Sequence, residues 1–180
     1  MSLARITSRF GVILFFVAAA ARAGVFIEPT GGYTAGLLGQ SGVPAINTKT
    51  YVFGGRLGYK RFRLRLGVDY SLGIGTGEQF GNKDDFKPTD LGLFAGYDLS
   101  REFRVYGSVF VVSKAKIQPS ENAADFTGQS FRAGLGWSVV PYCTVIVEAT
   151  SRIYSKYDGV SLSKALKGST FGASIGIPLP

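Results

Sequence analysis

Along most of the chain apolar residues recur at every second position, the period of a strand whose two faces meet different surroundings. The run from Phe62 to Ile74 is the clearest case. Phe62, Leu64, Leu66, Val68, Tyr70, Leu72 and Ile74 share one face; Arg63, Arg65, Gly67, Asp69, Ser71 and Gly73 share the other. Wound as a helix, these residues would scatter their charges around the whole circumference. The same alternation predicts strands over 51–60 and 90–99, from 103, from 131, and over 144–153 and 170–177. An eighth, from Val25 to Gly36, carries Pro29 and Gly31-Gly32, which suits an edge or terminal position. The expected fold is all-β: an eight-stranded antiparallel up-and-down barrel.

The connections then alternate in length. Segments 37–49, 75–88, 115–129 and 155–168 read as long loops, whereas Arg61-Phe62, 100–102 and 141–143 read as tight turns. Short periplasmic turns opposite long outer loops are the asymmetry of transmembrane barrels. A soluble, lipocalin-like barrel would also alternate, but with its apolar face turned inward. Glycine favours the membrane reading. It recurs on the polar face, where the narrow interior of an eight-stranded barrel needs room for a few long charged side chains.

The polar faces carry Glu28, Arg56, Arg63, Arg65, Asp69, Asp98, Arg104, Glu148 and Arg152, expected to form a charge network in the lumen. Asp98 and Arg104 flank a turn and should lie opposite or diagonal to each other; Arg56 and Asp69 should be diagonal neighbours. Two readings stand: a net-positive lumen passing small anions through a narrow pore, or a salt-bridge network that plugs the barrel. The apolar faces end in aromatics. Tyr59, Phe62, Tyr97 and Phe103 lie near the short turns, Tyr33, Tyr51, Tyr70 and Phe171 nearer the loops, and Trp137 completes the set expected to form interfacial girdles.

Composition removes whole classes of chemistry. Among 180 residues there is no histidine, which excludes Ser-His-Asp and Cys-His catalysis and histidine-ligated metals. The single cysteine, Cys143, forms neither an internal disulfide nor a zinc cluster. No enzyme, cofactor or metal is expected. Residues 1–23 combine Arg5 and Arg9, the apolar run from Phe10 to Ala21 and Ala21-Arg22-Ala23, the layout of a secretory signal peptide cleaved after Ala23. Residues 24–180 then form one barrel domain. The leader takes three arginines with it, so the net charge falls from +8 to +5 (8 − 3). The remaining basic residues are dispersed, which argues against nucleic acid.

The signal peptide, the eight strands and glycine-aromatic stretches such as Gly54-Gly55-Arg56-Leu57-Gly58-Tyr59 and Gly92-Leu93-Phe94-Ala95-Gly96-Tyr97 resemble the small outer-membrane barrels of the OmpA/OmpX type. The resemblance covers residues 24–180. It implies a monomer in the cell outer membrane with a structural or surface-interaction role. Implied partners are outer-membrane lipid and lipopolysaccharide, the barrel-assembly machinery, and host or phage surfaces met by the loops. One departure is the ending Ile177-Pro178-Leu179-Pro180, where many members carry an aromatic residue.

Overall fold

The computed structural model describes residues 24–40, 44–118 and 124–179, so the expected leader, 1–23, lies outside the described residues. The strands are β1 (Val25–Gly39), β2 (Ile46–Arg61), β3 (Leu64–Gln79), β4 (Asn82–Asp98), β5 (Phe103–Gln118), β6 (Ala124–Val140), β7 (Cys143–Tyr157) and β8 (Val160–Gly176). Each pairs antiparallel with the next, and β8 pairs back onto β1 to close the barrel.

Register fixes its girth. Stepping across hydrogen-bonded partners from Ile27 through Leu57, Val68, Leu93, Val109, Phe131, Ser151 and Ser169 returns to β1 at Leu37. One circuit therefore climbs ten residues (37 − 27). That stagger tilts the strands by about 40° and sets a backbone radius of about 8 Å, which side chains alone can fill.

The apolar face points outward. Leu93 and Val147 are 67% and 61% exposed, while Arg56 and Asp69 are buried at 2% each. A wall of bare aliphatic side chains around a charged interior is stable in lipid and not in water, so the lipocalin-like arrangement is excluded. On β3 the outward apolar residues run from Leu64 to Ile74. At this tilt they cover about 26 Å of height, against an apolar band of about 25 Å in membrane barrels.

Four expected long loops are largely strand. β3 continues to Gln79 and β4 begins at Asn82, leaving only Phe80-Gly81 between them; β7 and β8 are joined by Asp158-Gly159 alone. All four of these turn residues have positive φ, between 46° and 82°. This is the type I′ geometry whose twist matches that of the flanking strands. β1 likewise extends to Gly39, β2 starts at Ile46, β5 ends at Gln118 and β6 starts at Ala124. The strands hold 15 to 17 residues. A tilted span needs only about 9–11, so the outer ends stand clear of the bilayer as a barrel rim.

The seam explains the prolines. β8 ends at Gly176, and the lower part of β1 is held instead by the extended residues after it. The Ile177 N–H donates to the Pro29 carbonyl (3.0 Å) and the Leu179 N–H to that of Ile27 (2.8 Å). Pro29 thus accepts from Ile177 but returns no donor, unlike Ile27, whose N–H reaches the Leu179 carbonyl, so the proline removes one ladder bond at the seam, beyond the end of β8. A type I′ turn also makes a direct demand on its second residue. Gly159→Val, at φ 81°, should cost about 1–2 kcal/mol, measured as a lowered denaturant midpoint of the barrel refolded in vesicles.

Candidate functional site

The lumen holds an alternating ladder of charge. Its lowest full rung is Arg104, whose guanidinium bonds Glu28, itself wholly buried. Glu28 also faces Arg56, with 3.6 Å between Oε2 and Nη1. Arg56 reaches on to Asp69 (Nε to Oδ2, 3.3 Å) and Glu148 (Nη2 to Oε2, 3.8 Å). Those two carboxylates meet Arg132 from below at 3.7 and 3.8 Å. Arg132 approaches Asp90 at 3.7 Å, and Asp90 accepts from Arg152 Nη2 at 2.9 Å. Four arginines thus interleave with four carboxylates, and the core of the lumen is balanced rather than net positive.

Neutral groups complete the ladder. The Tyr106 hydroxyl donates to Glu148 and the Ser108 hydroxyl to Asp69, each at 2.6 Å. Ser113 and Ser130 donate to Asp90 at 2.6 and 3.2 Å. Arg132 donates to Ser71 at 2.9 Å, and Arg152 to Thr170 at 3.1 Å. The Arg56 guanidinium also lies over the Tyr106 ring, 3.9 Å from its centroid. Burial in a space without bulk water demands these partners, because each lone charge there would be costly.

The glycines opposite the ladder make the space. A Cβ on Gly134 would stand 2.5 Å from the Tyr106 ring, one on Gly136 2.7 Å from Arg104 Nε, and one on Gly176 2.6 Å from Glu28 Oε1. The backbone of one wall therefore accommodates the side chains of another.

Both ends of the ladder are closed or narrowed. At the rim, Leu38, Phe86, Ala115, Ile117 and Tyr154 form a buried apolar plug, with Ile46, Ala124, Phe126 and Leu166 packed against it. Lower in the lumen, Phe26, Phe94, Tyr106 and Ile146 form a second cluster. Beneath lies an open vestibule of about 720 Å³ at the inner mouth, bordered by Lys60, Arg65 and Arg101.

The expected site residues distribute as follows. Glu28, Arg56, Asp69, Arg104, Glu148 and Arg152 belong to the ladder. Asp98 and Arg104 are register partners, as their position across the turn suggests, yet they do not pair chemically. Arg104 turns up to Glu28, while Asp98 binds Lys60 (2.8 Å) and Arg65 (3.0 Å) at the mouth. Arg56 and Asp69 stand directly opposite rather than diagonal, because the turn falls at 62–63. Arg63 is misassigned: it sits on that turn, exposed, where strand parity no longer applies. Sequence reasoning missed Asp90, Arg132 and Tyr106 as site residues. The signal was present, since all three occupy the polar positions of their strands.

The aromatic residues lie outward at two levels set by the register. Tyr59, Tyr97, Phe103 and Trp137 form the inner level, where Phe103 and Trp137 stack at 6.3 Å, and Phe62 projects below from its turn. Tyr33, Tyr51 and Phe171 form the outer level, with Tyr33 and Tyr51 edge to face at 5.4 Å. Tyr70 lies between the two, and Phe131 joins the outer one.

No family model matches the chain, and no curated protein matches it in sequence. Solved structures do match. Neisserial surface protein A (NspA) superposes with a TM-score of 0.59 at 15% identity, over 86% of this chain and 96% of that one. Ail, the attachment invasion locus protein of Yersinia pestis, gives 0.59 at 18% identity, over 86% and 98%. Its complex with the heparin analogue sucrose octasulfate gives 0.60 at 16%, with the same coverage. The chain has the fold of the small eight-stranded outer-membrane barrels. At these identities the likeness carries the architecture and not an activity.

The ladder makes a quantitative demand. Arg132→Met would leave Asp69, Asp90 and Glu148 short of a cation and should cost about 3–5 kcal/mol of unfolding free energy. Arg63→Met, on the exposed turn, should stay within about 0.5 kcal/mol of the parent. Denaturant titration of both variants in the same vesicles checks the contrast.

Proposed function

We propose that the protein is an exported outer-membrane barrel with a closed lumen, serving envelope structure and surface contact through its four outward hairpins, without catalysis. The observation that carries this reading is the balanced charge ladder capped by the apolar plug. Every ladder carboxylate faces an arginine and every ladder arginine a carboxylate, so no carboxylate stands free to act as a general base and no arginine to line an anion path. Residues 1–23 serve as the export leader, cleaved after Ala23. The partners are outer-membrane lipid and lipopolysaccharide around the wall, the barrel-assembly machinery during insertion, and host or phage surfaces at the rim. That Ail was crystallised with a heparin analogue supports surface contact as a use to which this fold is put. The protein acts as a monomer.

Two measurements test the reading. Fractionated cells should hold the mature chain in the outer membrane, with a gel mobility that shifts on boiling. In planar bilayers the purified barrel should give no single-channel steps. Discrete steps that change with Arg56→Ala or Arg152→Ala would establish the narrow pore instead.

A further inference from the structure

Immediately above the outer end of the apolar band, the outward positions of five strands carry lysine. They are Lys49 on β2, Lys87 on β4, Lys114 and Lys116 on β5, Lys156 on β7 and Lys167 on β8. Register places them at nearly one height. Lys87 is the partner of Lys116, Thr89 that of Lys114, Lys114 that of Thr127, and Thr127 that of Lys156. Nearer the membrane the same strands show Tyr51, Leu91, Val112, Ile153 and Phe171 to the outside, with Thr89 and Ser169 between on β4 and β8.

The charge of this collar is largely uncompensated. Asp85 and Asp125, one step further out, pair with Lys87 at 3.1 Å and Lys116 at 3.6 Å. Among the described residues, Lys49, Lys114, Lys156 and Lys167 are in no ion pair, and all four are exposed. On the inner side of the wall at this height lies the apolar plug, so the lysine charge is directed outward only.

We propose that this collar binds the phosphate groups of the glycolipid in the outer leaflet, an inference that rests on the membrane placement proposed above. Height selects the partner. The lysines ring the wall at the level where headgroups replace hydrocarbon, rather than crowning the hairpin tips, where Lys83 is mixed with Asp84 and Asp158. Ammonium groups on flexible stems suit phosphates that approach from the side at varied angles, and they act there as point charges. Several of them near an anionic surface add their attractions.

The test uses the mature barrel in detergent, titrated with lipid A bearing both phosphates and with the same lipid after phosphate removal, binding being counted by native mass spectrometry. The phosphorylated lipid should bind at least about tenfold more tightly, and added salt should weaken it. Replacing Lys49, Lys114, Lys156 and Lys167 with Gln should abolish that preference, whereas Lys83→Gln should preserve it. The comparison of the two lipids on the parent protein stands even if the fourfold variant does not fold. Equal binding of both lipids by a barrel that keeps its heat-dependent mobility overturns the collar alone. Binding of heparin by the four lysines without lipid discrimination also overturns it. A chain that shows no mobility shift and binds neither lipid overturns the membrane placement as well.

Discussion

Everything in the interior follows from a radius of about 8 Å. A ten-residue stagger over eight strands leaves a bore that side chains fill from the inner vestibule up to the apolar plug. Arginines and carboxylates placed there must neutralise one another, and a one-dimensional bore allows only one economical way to do so. Unlike charges alternate along the axis, from Arg104 through Glu28, Arg56, Asp69 with Glu148, Arg132 and Asp90 to Arg152. Glycines on the facing walls supply the volume the guanidinium groups take up. Because most rungs answer to two neighbours, the ladder ties strands that are not adjacent. It thereby gives a barrel whose buried apolar side chains lie in two separate clusters a reason to hold one register.

The wall changes character at the membrane surface. Within the band, outward positions are apolar, and inward positions carry the charge ladder together with the cluster of Phe26, Phe94, Tyr106 and Ile146. Above it the sense reverses, as β5 shows most plainly. Val109 faces out and Ser108 in; past the irregularity between Phe110 and Ser113, Lys114 and Lys116 face out while Ala115 and Ile117 face in. The solvent outside has changed from hydrocarbon to water, so the rim packs as a soluble barrel does. The apolar plug and the lysine collar are two faces of that single change. Both sit at the same height because both answer to the same boundary.

That reversal also marks where sequence reading stops. Over 75–88 and 115–118 the alternation persists with its polarity exchanged and only one or two apolar members per strand, and over 155–168 the irregularity between Tyr154 and Lys156 breaks it. The charges and turn formers therefore look like loop. Asp158-Gly159 is nonetheless a recognisable type I′ pair, and it closes the hairpin that the charge-rich flanks obscure. Phe80-Gly81 does the same with a weaker signal, since an aromatic residue is seldom the first of such a pair.

The sequence by itself determined the number of strands, the face each shows to lipid, the inner turns to within a residue and the polar parity on which Asp90 and Arg132 sit with the expected lumen residues. These are local properties, set by a period of two and by the steric habits of glycine and proline. Only the tertiary structure decided which charge meets which. Arg104 lies beside Asp98 in the strand ladder yet reaches Glu28, and Arg56 gathers carboxylates from β1, β3 and β7. Partners in a closed barrel are chosen by height along the axis. Height depends on the stagger accumulated around the whole circuit, a quantity no single segment contains.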